Sequence, residues 1–303
     1  MQCKKLNEAD YIRKGEHITL KSIIINIVLA IVKIITGWLG NSTAIMADGF
    51  HSASDLLSDF GILATLRISR LPPDCNHHYG HRKVETLTAF LLGITLSLIG
   101  LSFAYNGLNK VVQFFSGTLS YDISPIVLVG AILTLISKEW IFQATQKVGK
   151  ELNNSSITAN AWHHRSDALS SLCTSIGVSL AIWGGSVFLI MDPLMTIFVA
   201  FFILKTAFSI LKQNGSILLD TGADEKMTQC IRKIVANVRG VKDVHEIRSR
   251  YHGNDLFVDL HVLVNPEWTV QRSHDLCEEI EFCLKQEIQI ISDIVIHIEP
   301  FQK

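Results

Sequence analysis

The segment AIMADGFHSASDLLSDFGILATL, residues Ala44 to Leu66, decides the architecture. A helix that crosses a bilayer takes about 20 mostly apolar residues, and this one carries Asp48, His51, Asp55 and Asp59 at steps of three and four. On a helix that spacing gathers the four on one face. Ionisable groups at membrane depth are costly, so such a face marks an ion or proton pathway. The segment Ile157 to Trp183 repeats the arrangement, with His163 and Asp167 four residues apart. Two opposed faces of this kind supply two imidazoles and two carboxylates, a complete tetrahedral set for Zn²⁺. The alternative for any one pair is plain interhelical hydrogen bonding. Asp48 and Asp59 extend the face and either form an access path or meet water. His164 and Arg165, beside the second pair, point elsewhere on the wheel and suit a cytoplasm-facing or structural role.

Four further stretches meet the length and apolarity of a spanning helix readily: Leu20 to Leu39, Leu87 to Val112, Ile126 to Ala144 and Leu194 to Leu211. With the two polar segments they make six transmembrane helices. The composition agrees, at 48% hydrophobic and 18% charged over 303 residues, which is too apolar for an ordinary soluble protein. The net charge of −1 gives no reason to expect a nucleic-acid partner. Arg67, Arg70, Arg82, Lys83, Lys147 and Lys150 fall in the loops after the second and fourth helices, whereas the opposite loops lack Lys and Arg. This asymmetry predicts a multi-pass inner-membrane protein with both termini cytoplasmic. Lys33 and Lys110 break the rule near outer helix ends, and snorkelling to the interface would account for them.

From residue 214 to 303 the pattern changes to that of a soluble domain, leaving residues 1–213 as the membrane domain. Met227 to Val238 reads as a helix, Val244 to Tyr251 and Leu256 to Val264 as strands, Val270 to Lys285 as a helix and Ile291 to Ile298 as a strand. The order αββαβ predicts a small α+β domain of ferredoxin-like or metallochaperone-like form. Six cysteines, at 3, 75, 173, 230, 277 and 283, contain no CxxC pair and read as reduced thiols.

Ala47-Asp48-Gly49-Phe50-His51-Ser52-Ala53-Ser54-Asp55 and Trp162-His163-His164-Arg165-Ser166-Asp167 together resemble the paired site motifs of the cation diffusion facilitator family. Pro73 to Glu85 is similar to that family's loop after the second helix, and the likeness runs the length of the chain in the same order. The resemblance implies a homodimeric metal/proton antiporter in the lipid bilayer, with its transport site at His51, Asp55, His163 and Asp167. His51 stands where many bacterial members carry Asp, and nitrogen ligands favour Zn²⁺ over Mn²⁺. Efflux of Cd²⁺, Fe²⁺, Mn²⁺, Co²⁺ or Ni²⁺ by the same mechanism stays open.

The spacing of Asp74, His77 and His81 permits either a second metal or a solvated loop, and the resemblance implies a regulatory or gating site. It also implies that His245, His261, His274, His297 and Glu299 hold metal in the cytoplasmic domain, as a structural or regulatory ion. Lys83 and Asp220 match an ion pair that joins membrane and soluble parts in relatives. Two other function classes compete. An intramembrane metal hydrolase would need an HExxH helix and an open coordination position, and the sequence has no such helix, so the chain is not expected to be an enzyme. A membrane-anchored metal sensor would not need four ionisable groups inside the bilayer.

Overall fold

The computed structural model describes residues 8–69, 71–151 and 155–302, and within them the side chains other than those of 8–19, 55, 57–64, 66, 67, 149, 151, 155–160, 163 and 166. Six long helices come first: α1 (Glu8–Leu39), α2 (Thr43–Ser69), α3 (Lys83–Phe115), α4 (Ile126–Glu151), α5 (Ser155–Trp183) and α6 (Met191–Leu218). Apolar stretches long enough to span a membrane lie in α1, α3, α4 and α6, and the last includes a 3₁₀ turn at Ser186–Ile190. Helix α5 contributes a shorter one, Asp167–Trp183. Then follow α7 (Glu225–Ala236), β1 (Asp243–His252), β2 (Asp255–Val264), α8 (Val270–Glu287) and β3 (Ile291–Pro300). The chain is thus an α-helical membrane protein with six spanning helices and a C-terminal α+β domain.

By backbone proximity it divides into two compact units, Met1–Phe60 with Leu92–Phe208, and Gly61–Leu91 with Ser209–Lys303. The first buries polar and charged groups alongside apolar clusters and exposes a large apolar surface. Lys33, Asp48, Lys138, His164 and Asp192 are buried, while α3 turns Ile94, Leu98, Leu101, Tyr105, Leu108 and Val112 outward at three- and four-residue steps. Such a surface suits lipid, and the interior is where polar groups find partners. Gly49 lets α1 and α2 approach closely, since a Cβ there would lie 2.8 Å from Ile34 Cγ1 and 3.0 Å from Lys33 Cβ. Asp192, fully buried at the start of α6, accepts from the backbone N–H of Thr43 and Ala44 and from Ser42 Oγ, Thr43 Oγ1 and Tyr121 OH. Its carboxylate thereby meets the orphan donors and the positive dipole end of α2.

Two expectations are corrected here. Lys33 does not snorkel: only 1% of it is exposed, and its ammonium lies 2.7 Å from Asp48 Oδ2. Lys110 also turns inward, 3.8 Å from Asp192 Oδ2 and 4.2 Å from the centre of the Tyr121 ring. In both cases a buried carboxylate on another helix outweighs access to the headgroups.

In the second unit the sheet has the order β1-β2-β3, with β1 and β2 antiparallel and β2 and β3 parallel. The β1–β2 turn uses Gly253 at φ 66, a conformation that costs glycine nothing. Strand β2 alternates, burying Val258, Leu260, Val262 and Val264 and leaving Asp259, His261 and Leu263 half-buried. The buried set joins Ile231 and Val235 of α7 and Leu276, Ile280 and Leu284 of α8 in one core. Asp224 caps α7 by accepting from Met227 N at 2.9 Å, and Thr269 caps α8 by accepting from Arg272 N at 3.3 Å.

Candidate metal sites

Of the four residues expected to form the intramembrane site, the side chains of Asp55 and His163 lie outside the described residues. His51 is half-buried on α2, and its Nδ1 is enclosed without a hydrogen-bond partner among the described residues. Its ring lies 6.4 Å from that of Phe202. Asp167 on α5 accepts through Oδ2 from Lys138 Nζ of α4 at 2.9 Å. One turn from His51 along α2, Asp48 meets Lys33; one turn from Asp167 along α5, Ser171 donates to Asp48 Oδ1 at 3.2 Å. Lys33 Nζ also donates to Ser52 Oγ at 3.1 Å and to Ser171 Oγ at 2.9 Å. The polar faces of α2 and α5 therefore meet at the Asp48–Ser171 level. Asp48 is buried and held by Lys33, so it does not face water; the Asp59 side chain lies outside the described residues.

His164 is buried and its Nε2 lies 2.7 Å from Ser22 Oγ of α1, which makes it a bundle contact. Arg165 stacks on Phe142 and Trp162 with its guanidinium carbon 4.6 and 5.4 Å from their ring centres.

The loop residues Asp74, His77 and His81 do converge, each offering a ligand atom within 4.8 Å of the others. Asp74 Oδ1 accepts from the backbone N–H of Asn76 at 2.8 Å and of His77 at 2.7 Å. Those two donors hold its carboxyl below the usual carboxylate range. The His77 and His81 rings are 4.3 Å apart, and Gly80 at φ 81 makes the turn that returns His81. His78 is turned away, with Nε2 3.2 Å from Cys75 O.

On the sheet, register does the assembling. His245 pairs with His261 across β1 and β2, and His261 pairs with His297 across β2 and β3, so three imidazoles stand in one row. Ring centres are 5.4 Å apart in the first pair and 4.7 Å in the second. Glu299, two residues beyond His297 and on the same face, reaches His261 Nδ1 at 2.9 Å, His245 Nε2 at 3.3 Å and His297 Nε2 at 3.5 Å. Nitrogen and carboxylate donors in this density suit a transition-metal ion. His274 is not brought to the row; it lies exposed on α8, 3.5 Å from Glu278.

The model of the cation efflux transmembrane domain matches residues 19–219, and that of the cation efflux protein cytoplasmic domain matches residues 223–301. The chain belongs to the cation diffusion facilitator family. Among similar proteins, manganese efflux system protein MneP of Bacillus subtilis (strain 168) is 29% identical over 94% of this chain and 95% of its own length. Metal tolerance protein C1 of Arabidopsis thaliana is 32% identical over 95% of this chain and 63% of its own length. A nickel form of the MamM CTD is 28% identical over 26% of this chain and 100% of its own, with a TM-score of 0.26. Family membership makes the chain a multi-pass membrane transporter for the efflux of divalent metal cations.

Sequence reasoning about this cation diffusion facilitator missed Lys138 as the partner of Asp167 and Glu246 as a neighbour of the histidine row. Glu246 occupies a bulge between His245 and Arg248 with φ 47, and its Oε2 lies 3.7 Å from His261 Nε2. Strict alternation would turn residue 246 to the opposite face from His245, so no periodic signal could find it. Lys83 and Asp220 do pair, at 2.7 Å, which is the ion pair expected from the sequence.

Proposed function

We propose that the chain exports a divalent transition metal, with Zn²⁺ as the first candidate, from the cytoplasm in exchange for protons. It acts in the inner membrane as a homodimer with both termini cytoplasmic, residues 1–213 carrying transport and 214–303 dimerisation and metal binding. His51, Asp55, His163 and Asp167 are the transport ligands. The observation that supports this most is the Asp48–Ser171 hydrogen bond, because it joins α2 and α5 one turn from both halves of the tetrad. Asp74, His77 and His81 form a loop site, and the row of His245, His261 and His297 with Glu299 holds a resident ion; His274, exposed on α8, takes no part in it. Metal binding needs neutral imidazoles and ionised carboxylates, so metal and protons compete for one set of atoms.

A second reading, Mn²⁺ as cargo, is favoured by the likeness to a manganese efflux system protein. Proteoliposomes carrying the full chain separate the possibilities when a panel of divalent ions is driven by an imposed pH gradient. Zn²⁺ should move fastest, with protons flowing the other way, and Asp55→Ala or Asp167→Ala should reduce flux to background. Flux indifferent to the gradient would remove the antiport mechanism, and normal flux in either variant would remove the site.

A further inference from the structure

Among the described residues, two lysines are almost fully buried in the membrane bundle, Lys33 and Lys138, and their surroundings differ. Lys33 is held by three acceptors, Asp48, Ser52 and Ser171, from two other helices. An ammonium group has three N–H donors, so Lys33 is fully engaged. Lys138, 3% exposed on α4, has one hydrogen-bond acceptor among the described residues, Asp167 Oδ2 at 2.9 Å. Lys33 is a fixed strut, whereas Lys138 holds that single bond on a four-carbon stem with several torsions.

We infer that Lys138 is a tethered counter-cation: its ammonium and the transported divalent ion are alternative partners of the Asp167 carboxylate, and the ion must displace it to be carried. The inference rests on the transport site proposed above. An ammonium and a dication on one carboxylate repel, and at membrane depth little solvent screens them. Binding the ion therefore moves Lys138 aside, and the return of Lys138 favours release of the ion. A residue in this position weakens affinity for cargo and in exchange prevents a four-ligand site from holding its ion too long.

The test is Zn²⁺ transport by the full chain in proteoliposomes, comparing wild type with Lys138→Met, Lys138→Arg and Asp167→Asn. Lys138→Met should lower KM for Zn²⁺ roughly tenfold or more, the scale on which one unit charge nearby alters proton binding to a carboxylate. It should also lower kcat, because release slows, and Lys138→Arg should stay near wild type in both. A lysine with only a structural role would reduce the amount of folded protein and leave KM alone. A wild-type KM in Lys138→Met, with Asp167→Asn inactive, would overturn this inference and spare the site. Wild-type flux in Asp167→Asn would overturn the site and this inference with it. Should Lys138→Met fail to fold, Zn²⁺ present during solubilisation should restore a monodisperse protein by taking the place of the lost charge, and failure to restore it would count against the inference.

Discussion

The membrane interior and the open face of the sheet use the same side chains, imidazole and carboxylate, under opposite solvent conditions. In the bundle, Asp48, Asp167 and Asp192 each lie beside a lysine, at 2.7, 2.9 and 3.8 Å. On the sheet, Glu299 is half-buried and faces three histidines, with no lysine paired to it among the described residues. The difference teaches that a carboxylate deep in a bilayer must be neutralised by the protein itself, while one at a water-exposed sheet can leave part of that task to solvent.

The largest expected break in this comparison is Lys33→Met. Removing one partner of a buried ion pair costs roughly 3–5 kcal/mol, so thermal unfolding of the purified protein should shift down sharply. Lys33→Met combined with Asp48→Asn should recover much of the loss, since no unpaired charge remains. A double variant as unstable as the single one would show that hydrogen-bond geometry, not charge, dominates there. On the sheet, His261→Ala removes the central imidazole of the row. Calorimetry on the domain starting at Thr221 should then show metal affinity reduced by more than the roughly 10–100-fold typical of outer-shell losses, with folding intact. Unchanged affinity would mean that the row is not the metal centre.

A smaller effect is expected from His51→Asp, which makes the proposed transport site harder and should raise Mn²⁺ or Cd²⁺ flux relative to Zn²⁺. An unchanged metal ranking would deny His51 a role in selectivity. The smallest is Lys83→Ala. The Lys83 ammonium holds the Asp220 carboxyl below the usual range through its hydrogen bond. A depressed carboxylate stabilises the folded state above its unfolded value of about 3.9 and loses that contribution as pH falls through the lowered folded value. Both groups are substantially exposed, so the loss should stay within roughly 1 kcal/mol near neutral pH. Wild type and variant should converge in acid, which denaturant titrations at two pH values would check.

Much of this is legible in the sequence because the signals are local. Apolar runs locate the four plain helices, and period-two alternation locates β2 within a residue of its observed ends. The family resemblance groups the histidines at 245, 261 and 297, and register explains how they meet. The misreadings concern contacts between distant segments. Lys33 reads as an interfacial lysine because nothing near it in the chain reveals Asp48 on the next helix or Ser171 on the fifth. Lys138 stands out as a charge within its apolar stretch, but its partner lies 29 residues away across a helical hairpin, where spacing does not reach. Glu246 is hidden by a bulge, which breaks the periodicity that sequence reasoning depends on.

The row of His245, His261 and His297 has a consequence for descent. Side chains alternate with period two, so deleting one residue ahead of His261 in β2 would exchange the open face with the helix-facing layer. Lineages carrying this sheet can then change any of the three histidines singly and keep the fold, while changes in strand length would destroy core and histidine row at one stroke. Insertions are expected to accumulate at the turns, and variation in metal preference to arise by substitution at fixed positions.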